Sequence, residues 1–280
     1  MKRSALSRTG VAAVVSALSL ALITGCSDSG SDSASDAGSG DKAGTKEPAA
    51  AAKTLSDSEL EKLIVASADV KGYKVGPADQ SDAFASSKEE LKVVDEKCAP
   101  LAYVLTGFAP GDSTAYVNRM VQEDPTAKPS ASPTKNMDDM TEEEMEEALG
   151  SITDSLGLTM TIVSLSSYEG DGAEETMSSV SAALEGCGGG FTISAGKEPQ
   201  KFTKIEAEKA SGSGDESLAF AATADAEDGG SPTVHAEVVR HGNTVATYYA
   251  ISLAALADDA KTGAYNVPPA IIKAQTAKLG

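Results

Sequence analysis

The last third of the chain carries the feature that most constrains its fold, a succession of β-prone segments separated by short turns. The segments are 191–194, 201–208, 217–223, 233–240 and 244–252. They contain many β-branched and aromatic residues, and His241-Gly242-Asn243 between the last two is a hairpin signal. Because consecutive strands with short connections pair antiparallel, the pattern predicts an antiparallel sheet.

Helical patterns are more frequent before that point. Ser56 and Glu59 have the spacing of a capping box, and the apolar residues that follow recur at helical intervals, which predicts a helix over 56–68. An extended stretch begins at Gly72. A second helix is predicted over 98–107, with a proline in its first turn, where proline is tolerated.

Two further strands and two further helices complete the pattern. Strands are predicted over 113–122 and 158–166, the second from the alternation of apolar and hydroxyl residues. An amphipathic helix is predicted over 174–186, and a terminal helix begins at Pro268-Pro269. The predicted fold class is therefore α+β, a single domain with an antiparallel β-sheet packed with several α-helices.

An acidic segment interrupts this pattern. A Pro/Ser/Lys-rich loop over 124–136 leads into an acidic run, 138–149, in which Met145 and Leu149 begin a helical apolar stripe. The glutamates of 142–147 suit a cation or a basic partner. The favoured alternative is a solvated helix face, because runs of charge are usually that.

The N-terminus has the organisation of an export signal. Basic residues precede Val11–Ile23, an apolar stretch of 13 residues, which is shorter than the ~20 residues needed to span a bilayer. Ile23-Thr24-Gly25-Cys26 then looks like a bacterial lipobox, in which the cysteine thiol receives a diacylglyceryl group. The alternative is an ordinary secretory signal followed by a chance cysteine. We expect residues 1–25 to be removed and the mature chain to be anchored to the membrane by palmitate-type acyl chains on Cys26.

The residues after the predicted anchor have the composition of a tether. The segment 27–53 contains no Ile, Leu, Val, Phe or Tyr, so it cannot bury enough apolar surface to offset the entropy of ordering. A flexible chain of this length has a root-mean-square reach of roughly 25–30 Å. The predicted organisation is a signal peptide (1–25), a lipidated cysteine with a disordered tether (26–53), and an α+β extracellular domain (54–280).

Cysteine usage agrees with export. Of the three cysteines, Cys26 is assigned to lipid, which leaves Cys98 and Cys187 as an even pair. In an oxidising compartment such a pair predicts one disulfide. The alternatives are two buried free thiols or a metal site, although the two cysteines and two histidines lack a short ligand-pair spacing.

Charge excludes one class of partner. The formal net charge is −19, and removal of the three basic residues of the signal makes it −22. Such a chain repels phosphate backbones, so no nucleic acid is expected among its partners. The membrane is expected as a partner only through the lipid on Cys26, since an acidic domain does not dock on anionic lipid by itself.

The sequence gives no catalytic pattern. His235 lies on a predicted strand, on the face that Glu237 shares, and His241 lies on a turn. Ser213 is not in a nucleophile-elbow motif. The abundant carboxylates define no particular acid/base pair. We therefore predict no enzyme activity and no catalytic residue.

Two turn sequences are interpreted as structural. The glycine run 188–190 lacks the lysine and hydroxyl residue of a phosphate-binding loop and is better explained as a helix stop. The sequence 214–217 predicts a sharp turn in which Asp215 accepts hydrogen bonds from backbone N–H groups. The aspartates of 225–228 do not match a calcium loop, so no cofactor or metal is predicted.

Taken together, these features resemble the actinobacterial sensor-domain lipoproteins related to the PknH-like extracellular domain. The resemblance covers about 54–280. It is carried by five local features along the chain: Gly72-Tyr73 after a first helix, Cys98 with Leu101, Tyr168 before a helix ending in Cys187, the 214–217 turn, and Arg240 with Gly242-Asn243. It implies a mixed sheet-and-helix fold, disulfides and a cleft for an unidentified ligand. The single candidate disulfide, in place of two, and the loop at 124–136 depart from the family pattern, so no ligand residue is carried over. A second resemblance is to the PsbP-like fold of other actinobacterial lipoproteins.

Two classes of function remain. The first is a ligand-binding or sensing module on the extracytoplasmic face of the cell membrane, whose partner is a small molecule, a cell-wall fragment or a protein. The second is an envelope lipid or glycolipid carrier, which requires a large apolar cavity. An envelope hydrolase is a distant third, because it requires a cleft in which His235 or His241 meets a serine and a carboxylate.

Overall fold

The computed structural model describes residues 53–78, 84–124, 141, 159–195, 199–225, 231–252 and 266–280. All of these residues belong to one compact unit. Some predictions lie outside the described residues: the signal peptide, Cys26, the tether before Lys53, most of the loop over 124–136 and, apart from Thr141, the acidic helix over 138–149.

The described residues form four α-helices and nine strands. The helices are α1 (Asp57–Leu63), α2 (Ala99–Leu105), α3 (Gly172–Gly186) and α4 (Pro269–Leu279). The strands are β1 (Tyr73–Gly76), β2 (Lys92–Val93), β3 (Ala115–Glu123), β4 (Thr159–Ser167), β5 (Phe191–Ser194), β6 (Gln200–Glu208), β7 (Glu216–Ala224), β8 (Thr233–His241) and β9 (Thr244–Ser252). Within the part of the chain that the structure describes, none of the helices combines the length and apolar character needed to span a membrane.

All nine described strands join one sheet, in the order β1-β3-β4-β9-β8-β7-β6-β5-β2. Every neighbouring pair is antiparallel. The α+β prediction is confirmed, and the five predicted late strands form the continuous block from β9 to β5. The pairing of β4 with β9 attaches the earlier strands to this block.

The two faces of the sheet carry different helices. Neighbouring residues of a strand point to opposite faces. Val238 and Val245 belong to a core with α2 and α3, and we call this side the disulfide face. Val239 and Ala246 belong to a core with α1 and α4, and we call this side the terminal-helix face.

A disulfide holds the helices of the disulfide face together. Cys98 immediately precedes α2 and Cys187 immediately follows α3, and their sulfur atoms are bonded with the Cα atoms 5.9 Å apart. Both residues are buried. The predicted disulfide is thus confirmed. It closes a separation of 89 residues, for which loss of chain entropy in the unfolded state corresponds to ~4–5 kcal/mol.

Buried hydrogen bonds join the helices of the terminal-helix face. The side-chain amide of Gln275 in α4 is fully buried. Its Oε1 accepts a hydrogen bond from the backbone N–H of Val65 at 2.8 Å, and its Nε2 donates to the carbonyl of Leu63 at 2.9 Å. Backbone polar groups at the end of α1 therefore find their hydrogen-bond partners in α4, although the two helices are far apart in the sequence.

The first helix is shorter than predicted. The capping box is confirmed, since the Glu59 carboxylate accepts the backbone N–H of Ser56 at 3.0 Å. The helix ends at Leu63 rather than at residue 68, because Ile64 is extended (φ −66°, ψ 146°) and the Val65 N–H bonds to Gln275. A tertiary contact therefore overrides a helical apolar pattern.

The other predicted elements that fall on described residues agree with the structure to within two residues at each end. The sequence did not predict β2. It consists of Lys92 and Val93 alone, which is too short to produce a periodic pattern.

Candidate functional site

A cavity of about 450 Å³ lies on the disulfide face, at the end of the sheet where β4 begins. Seven adjacent strands, from β3 across the sheet to β5, contribute to its lining. Because the strands are antiparallel, some contribute residues near their start, such as Met160 of β4, and others residues near their end, such as Ile251 of β9.

The lining is mostly apolar and carries no charged side chain among the described residues. Its largest apolar side chains are Phe84, Phe108, Phe202, Met120, Met160 and Ile162. The chain has only five phenylalanines, and three of them line this cavity. None of the described lining residues carries a formal charge, although the chain has a net charge of −19. Such a wall favours apolar ligands and disfavours ions, whose desolvation it does not compensate.

The C-terminal end of α2 forms one wall of the cavity. The chain leaves the helix through Thr106 and turns at Gly107, which has a φ of +78°. A Cβ at this position would lie 3.2 Å from Cγ2 of Ile162. Glycine is therefore required both by the backbone conformation and by the close approach to β4. This turn brings Leu105 and Phe108 to the lining.

The start of the domain lies at the other end of β4. The Thr54 hydroxyl donates to the carbonyl of Tyr168 at 3.1 Å, and the Leu55 N–H donates to Oγ of Ser167 at 2.8 Å. Ser167 is the last residue of β4, whereas Met160 in the cavity wall is its second. At ~3.3 Å per residue the two are separated by about 23 Å.

His235, a candidate from the sequence, makes a hydrogen-bond contact on the terminal-helix face. Its Nδ1 lies 3.0 Å from Oε2 of Glu208. The predicted shared face with Glu237 is confirmed by their alternation along β8. His235 is not among the residues that line the cavity.

The carboxylate of Glu237 is buried and has protein donors. It accepts the backbone N–H of Ser211 at 3.0 Å and the hydroxyl of the same residue. These bonds attach the β6–β7 connection to β8, so this carboxylate has a structural role.

The predicted turn at 214–217 is present, and Asp215 has the predicted role. Gly214 has a φ of +67°, and a Cβ there would lie 2.3 Å from the carbonyl oxygen of Arg240. Oδ2 of Asp215 accepts the backbone N–H of Gly242 at 2.7 Å. The carboxylate thus joins the β6–β7 turn to the β8–β9 hairpin. For His241 in that hairpin, burial lowers the imidazole pKa and the nearby Asp215 opposes the shift.

The remaining candidates divide between helix ends and undescribed segments. The 188–190 glycines follow α3 as predicted, and Gly190 has a φ of +83°. Among the described residues, no group of three or more His, Cys, Asp or Glu side chains could hold a metal ion. Cys26, the glutamates of 142–147 and the end of the 225–228 loop lie outside the described residues.

The cavity was not predicted from the sequence, because each lining residue also fits an ordinary core position. One signal was available. Met120, Met160 and Ile162 are large apolar residues on the strand faces that also carry Asn118 and Ser164. Without the strand order, these apolar and polar residues could not be assigned to the wall of one cavity.

Comparisons with known proteins identify only a distant likeness. Neither a protein family nor a curated protein sequence matches the chain. Among solved structures, the extracellular domain of PknH from Mycobacterium tuberculosis is similar with a TM-score of 0.45 and 12% sequence identity, over 81% of this chain and 95% of that one. The resemblance noted from the sequence is thus supported as a weak similarity of fold, which does not extend to site residues or a ligand.

Proposed function

We propose that this chain is a membrane-anchored extracytoplasmic lipoprotein whose domain binds an apolar small molecule or a single hydrocarbon chain. The observation that carries the proposal is the cavity of about 450 Å³ with an uncharged, mostly apolar lining. Cavities that hold small ligands commonly measure about 300–1,000 Å³ and have this type of wall.

The energetic cost of the cavity supports a binding role. Space left beside large apolar side chains forfeits dispersion contacts and lowers stability in proportion to its volume. An apolar ligand restores those contacts, and the burial of its own surface contributes roughly 25 cal/mol per Å².

The position of the cavity relative to the predicted tether also supports this function. The domain is joined to the tether near Thr54, at the end of β4 opposite to the cavity. A domain anchored through Cys26 can then present the cavity away from its attachment point. A ligand in the envelope space, rather than a lipid extracted at the anchor, suits that arrangement.

The carrier function is the second candidate, and the apolar lining favours it as well. The cavity volume favours a small molecule or a single hydrocarbon chain over a whole glycolipid. A cavity of about 450 Å³ is too small to enclose both chains and the headgroup of a glycolipid. The two functions differ in a measurable way, since a carrier transfers labelled lipid between donor and acceptor vesicles and a binding module does not.

Filling the cavity tests the binding function. The probe is N-phenyl-1-naphthylamine, an uncharged fluorophore whose emission rises in apolar surroundings, and the protein is the Cys26→Ala chain, which carries no acyl group of its own. Ala224 is buried in the lining at the end of β7, so Ala224→Leu places a larger side chain in the space. We expect the Cys26→Ala chain to bind the probe. The additional Ala224→Leu substitution should weaken that binding at least tenfold.

A matched control lies on the same strand. Ala221 is equally buried but points to the terminal-helix face, so Ala221→Leu should leave probe affinity unchanged. Thermal unfolding of both variants checks that each is folded. Equal loss in both variants, or no binding by the parent chain, would contradict a ligand site in this cavity.

The anchor requires its own experiment. We expect the wild-type chain to sediment with membranes and its N-terminal peptide to carry diacylglycerol on Cys26, as determined by mass spectrometry. Cys26→Ala should be recovered in the soluble fraction. An unmodified Cys26 in the mature protein would refute lipid anchoring and leave the cavity proposal intact.

A further inference from the structure

A group of polar atoms surrounds the Gly107 carbonyl beside the cavity. This carbonyl accepts hydrogen bonds from the Tyr116 phenol and from Oγ of Ser164, the latter at 2.9 Å. Both donors come from the disulfide face of β3 and β4. The cavity wall therefore contains a fixed polar network within a mostly apolar lining.

The network fixes the orientation of the Asn118 amide. Nδ2 of Asn118 lies 2.8 Å from the Tyr116 phenolic oxygen. Since the phenol gives its proton to Gly107, it can only accept from Asn118, and the amide must donate. Oδ1 of Asn118 has no hydrogen-bond donor among the described residues. Asn118 lines the cavity, so this oxygen is an available acceptor.

Tyr249 supplies a second available polar group. Its ring lies beside Gly107 and lines the cavity. Burial, together with the nearby Tyr116, raises the pKa of its phenol, which remains protonated in the physiological range. Its hydroxyl has no hydrogen-bond partner in the described part of the chain. On the sheet, Tyr249 pairs with Ile162, which is two residues along β4 from Ser164, the partner of Asn118, and lies on the same face.

We infer that the ligand is an uncharged amphiphile, with a hydroxyl or amide group that donates to Oδ1 of Asn118 and accepts from the Tyr249 phenol, and a hydrocarbon part that lies against the apolar lining. This inference rests on the proposed function and adds the class of ligand. An entirely apolar ligand would leave two desolvated polar groups unpaired, which is costly. A carboxylate or ammonium group would find no compensating charge among the described lining residues.

The test compares two isomers in displacement of N-phenyl-1-naphthylamine from the Cys26→Ala chain. Decan-1-ol and 1-methoxynonane have the same atoms, but only the alcohol donates a hydrogen bond. We expect the alcohol to bind roughly five- to tenfold more tightly, the effect of one net hydrogen bond. Decanoate, of similar length but charged, should bind more weakly than the alcohol.

Tyr249→Phe tests the phenol as a donor to the ligand. The substitution removes a hydroxyl that has no hydrogen-bond partner among the described residues, so the fold should be retained. It should weaken binding of both isomers, because the oxygen of either one accepts from the phenol, while the alcohol keeps the advantage that comes from its donation to Oδ1 of Asn118. Tyr248→Phe is the matched control, because Tyr248 is the adjacent residue, points to the terminal-helix face and also has a phenol with no hydrogen-bond partner among the described residues.

The outcomes separate the two proposals. If neither isomer displaces the probe and the probe itself fails to bind, the proposed function is wrong and the ligand class is wrong with it. If both isomers bind with equal affinity, or if decanoate binds more tightly than the alcohol, the ligand class is wrong and the cavity remains a binding site. Unchanged affinity for both isomers in Tyr249→Phe would overturn the assignment of the phenol as a donor to the ligand.

Discussion

The two faces of the sheet hold their helices by different physical means. On the disulfide face, Cys98–Cys187 covalently joins the start of α2 to the end of α3, while the other end of α2 lines a cavity. On the terminal-helix face, α4 is joined to the end of α1 by the buried amide of Gln275.

The difference shows how a protein can maintain an apolar cavity. A cavity lowers the stability of the face that contains it, because its wall loses packing contacts. A disulfide contributes stability through the unfolded chain, independently of how closely the native core is packed. The disulfide can therefore fix α2 at one end without filling the space at the other.

Loss of the disulfide should produce the largest effect. We expect the double variant Cys98→Ala, Cys187→Ala to lose about 4 kcal/mol of unfolding free energy, measured by urea denaturation. Chemical reduction of the parent chain should give a similar loss. A change below ~1 kcal/mol would show that packing alone holds α2 and α3, and the comparison between the faces would fail.

Removal of the buried amide on the other face should cost less. Gln275→Leu leaves the buried Val65 N–H and the partly buried Leu63 carbonyl without their present partner, for which we expect a loss of about 2–4 kcal/mol. Lys273→Leu, at an exposed position of α4, is the matched control and should change little. Affinity for the fluorescent probe should be retained in Gln275→Leu; its loss would mean that the two faces are coupled.

Two buried tyrosines give a finer comparison. The Tyr168 phenol donates to the carbonyl of Pro110 and lies 3.1 Å from Oγ of Ser166, so Tyr168→Phe should cost about 1–2 kcal/mol. The Tyr248 phenol is buried without a partner among the described residues, so Tyr248→Phe should be neutral or slightly stabilising. Urea denaturation measures the unfolding free energy of both variants. Equal losses of unfolding free energy would contradict the expected difference between the two tyrosines.

The smallest effect concerns acid stability at the terminal helix. Asp69 accepts hydrogen bonds from Lys278 at 2.9 Å and from the Ala66 N–H at 2.8 Å, which hold its pKa below the ordinary value of 3.8. A lowered pKa stabilises the fold above the unfolded-state value, and this contribution is lost as the pH falls through the folded-state value.

Asp69→Asn should therefore lose at most ~1 kcal/mol at neutral pH, since the pair is partly exposed. Its stability should also decline less steeply than that of the parent chain below about pH 4. Unfolding midpoints measured across that pH range test the prediction. Parallel acid profiles for the two proteins would show that this carboxylate does not contribute.

The sequence predicted the local elements well because each has a local cause. The capping box of Ser56 and Glu59, the glycines after α3 and the hairpin at Gly242 all act within a few residues. The disulfide was also predictable, because only two cysteines remained once Cys26 was assigned. The end of α1 was not, since it is set by Gln275 in a helix about 210 residues away.

The candidate site was less predictable than the fold. Phe84, Met120, Phe202 and Ile251 come from distant parts of the chain and reach one cavity only through the strand order. Asn118 is an ordinary polar strand residue in the sequence. Its free acceptor follows from hydrogen bonds to Tyr116 and, through it, to Gly107.

The sequence by itself determined the strands other than β2, the antiparallel pairing of the late strands, most helix ends and the identity of the disulfide partners, because alternation, helical spacing, turn chemistry and cysteine number express them locally. Tertiary structure alone decided that β4 lies beside β9, that helices cover both faces and that the end of α2 stands over a cavity. These depend on contacts between residues far apart in the chain, and no local periodicity specifies which apolar side chains meet and which leave space between them.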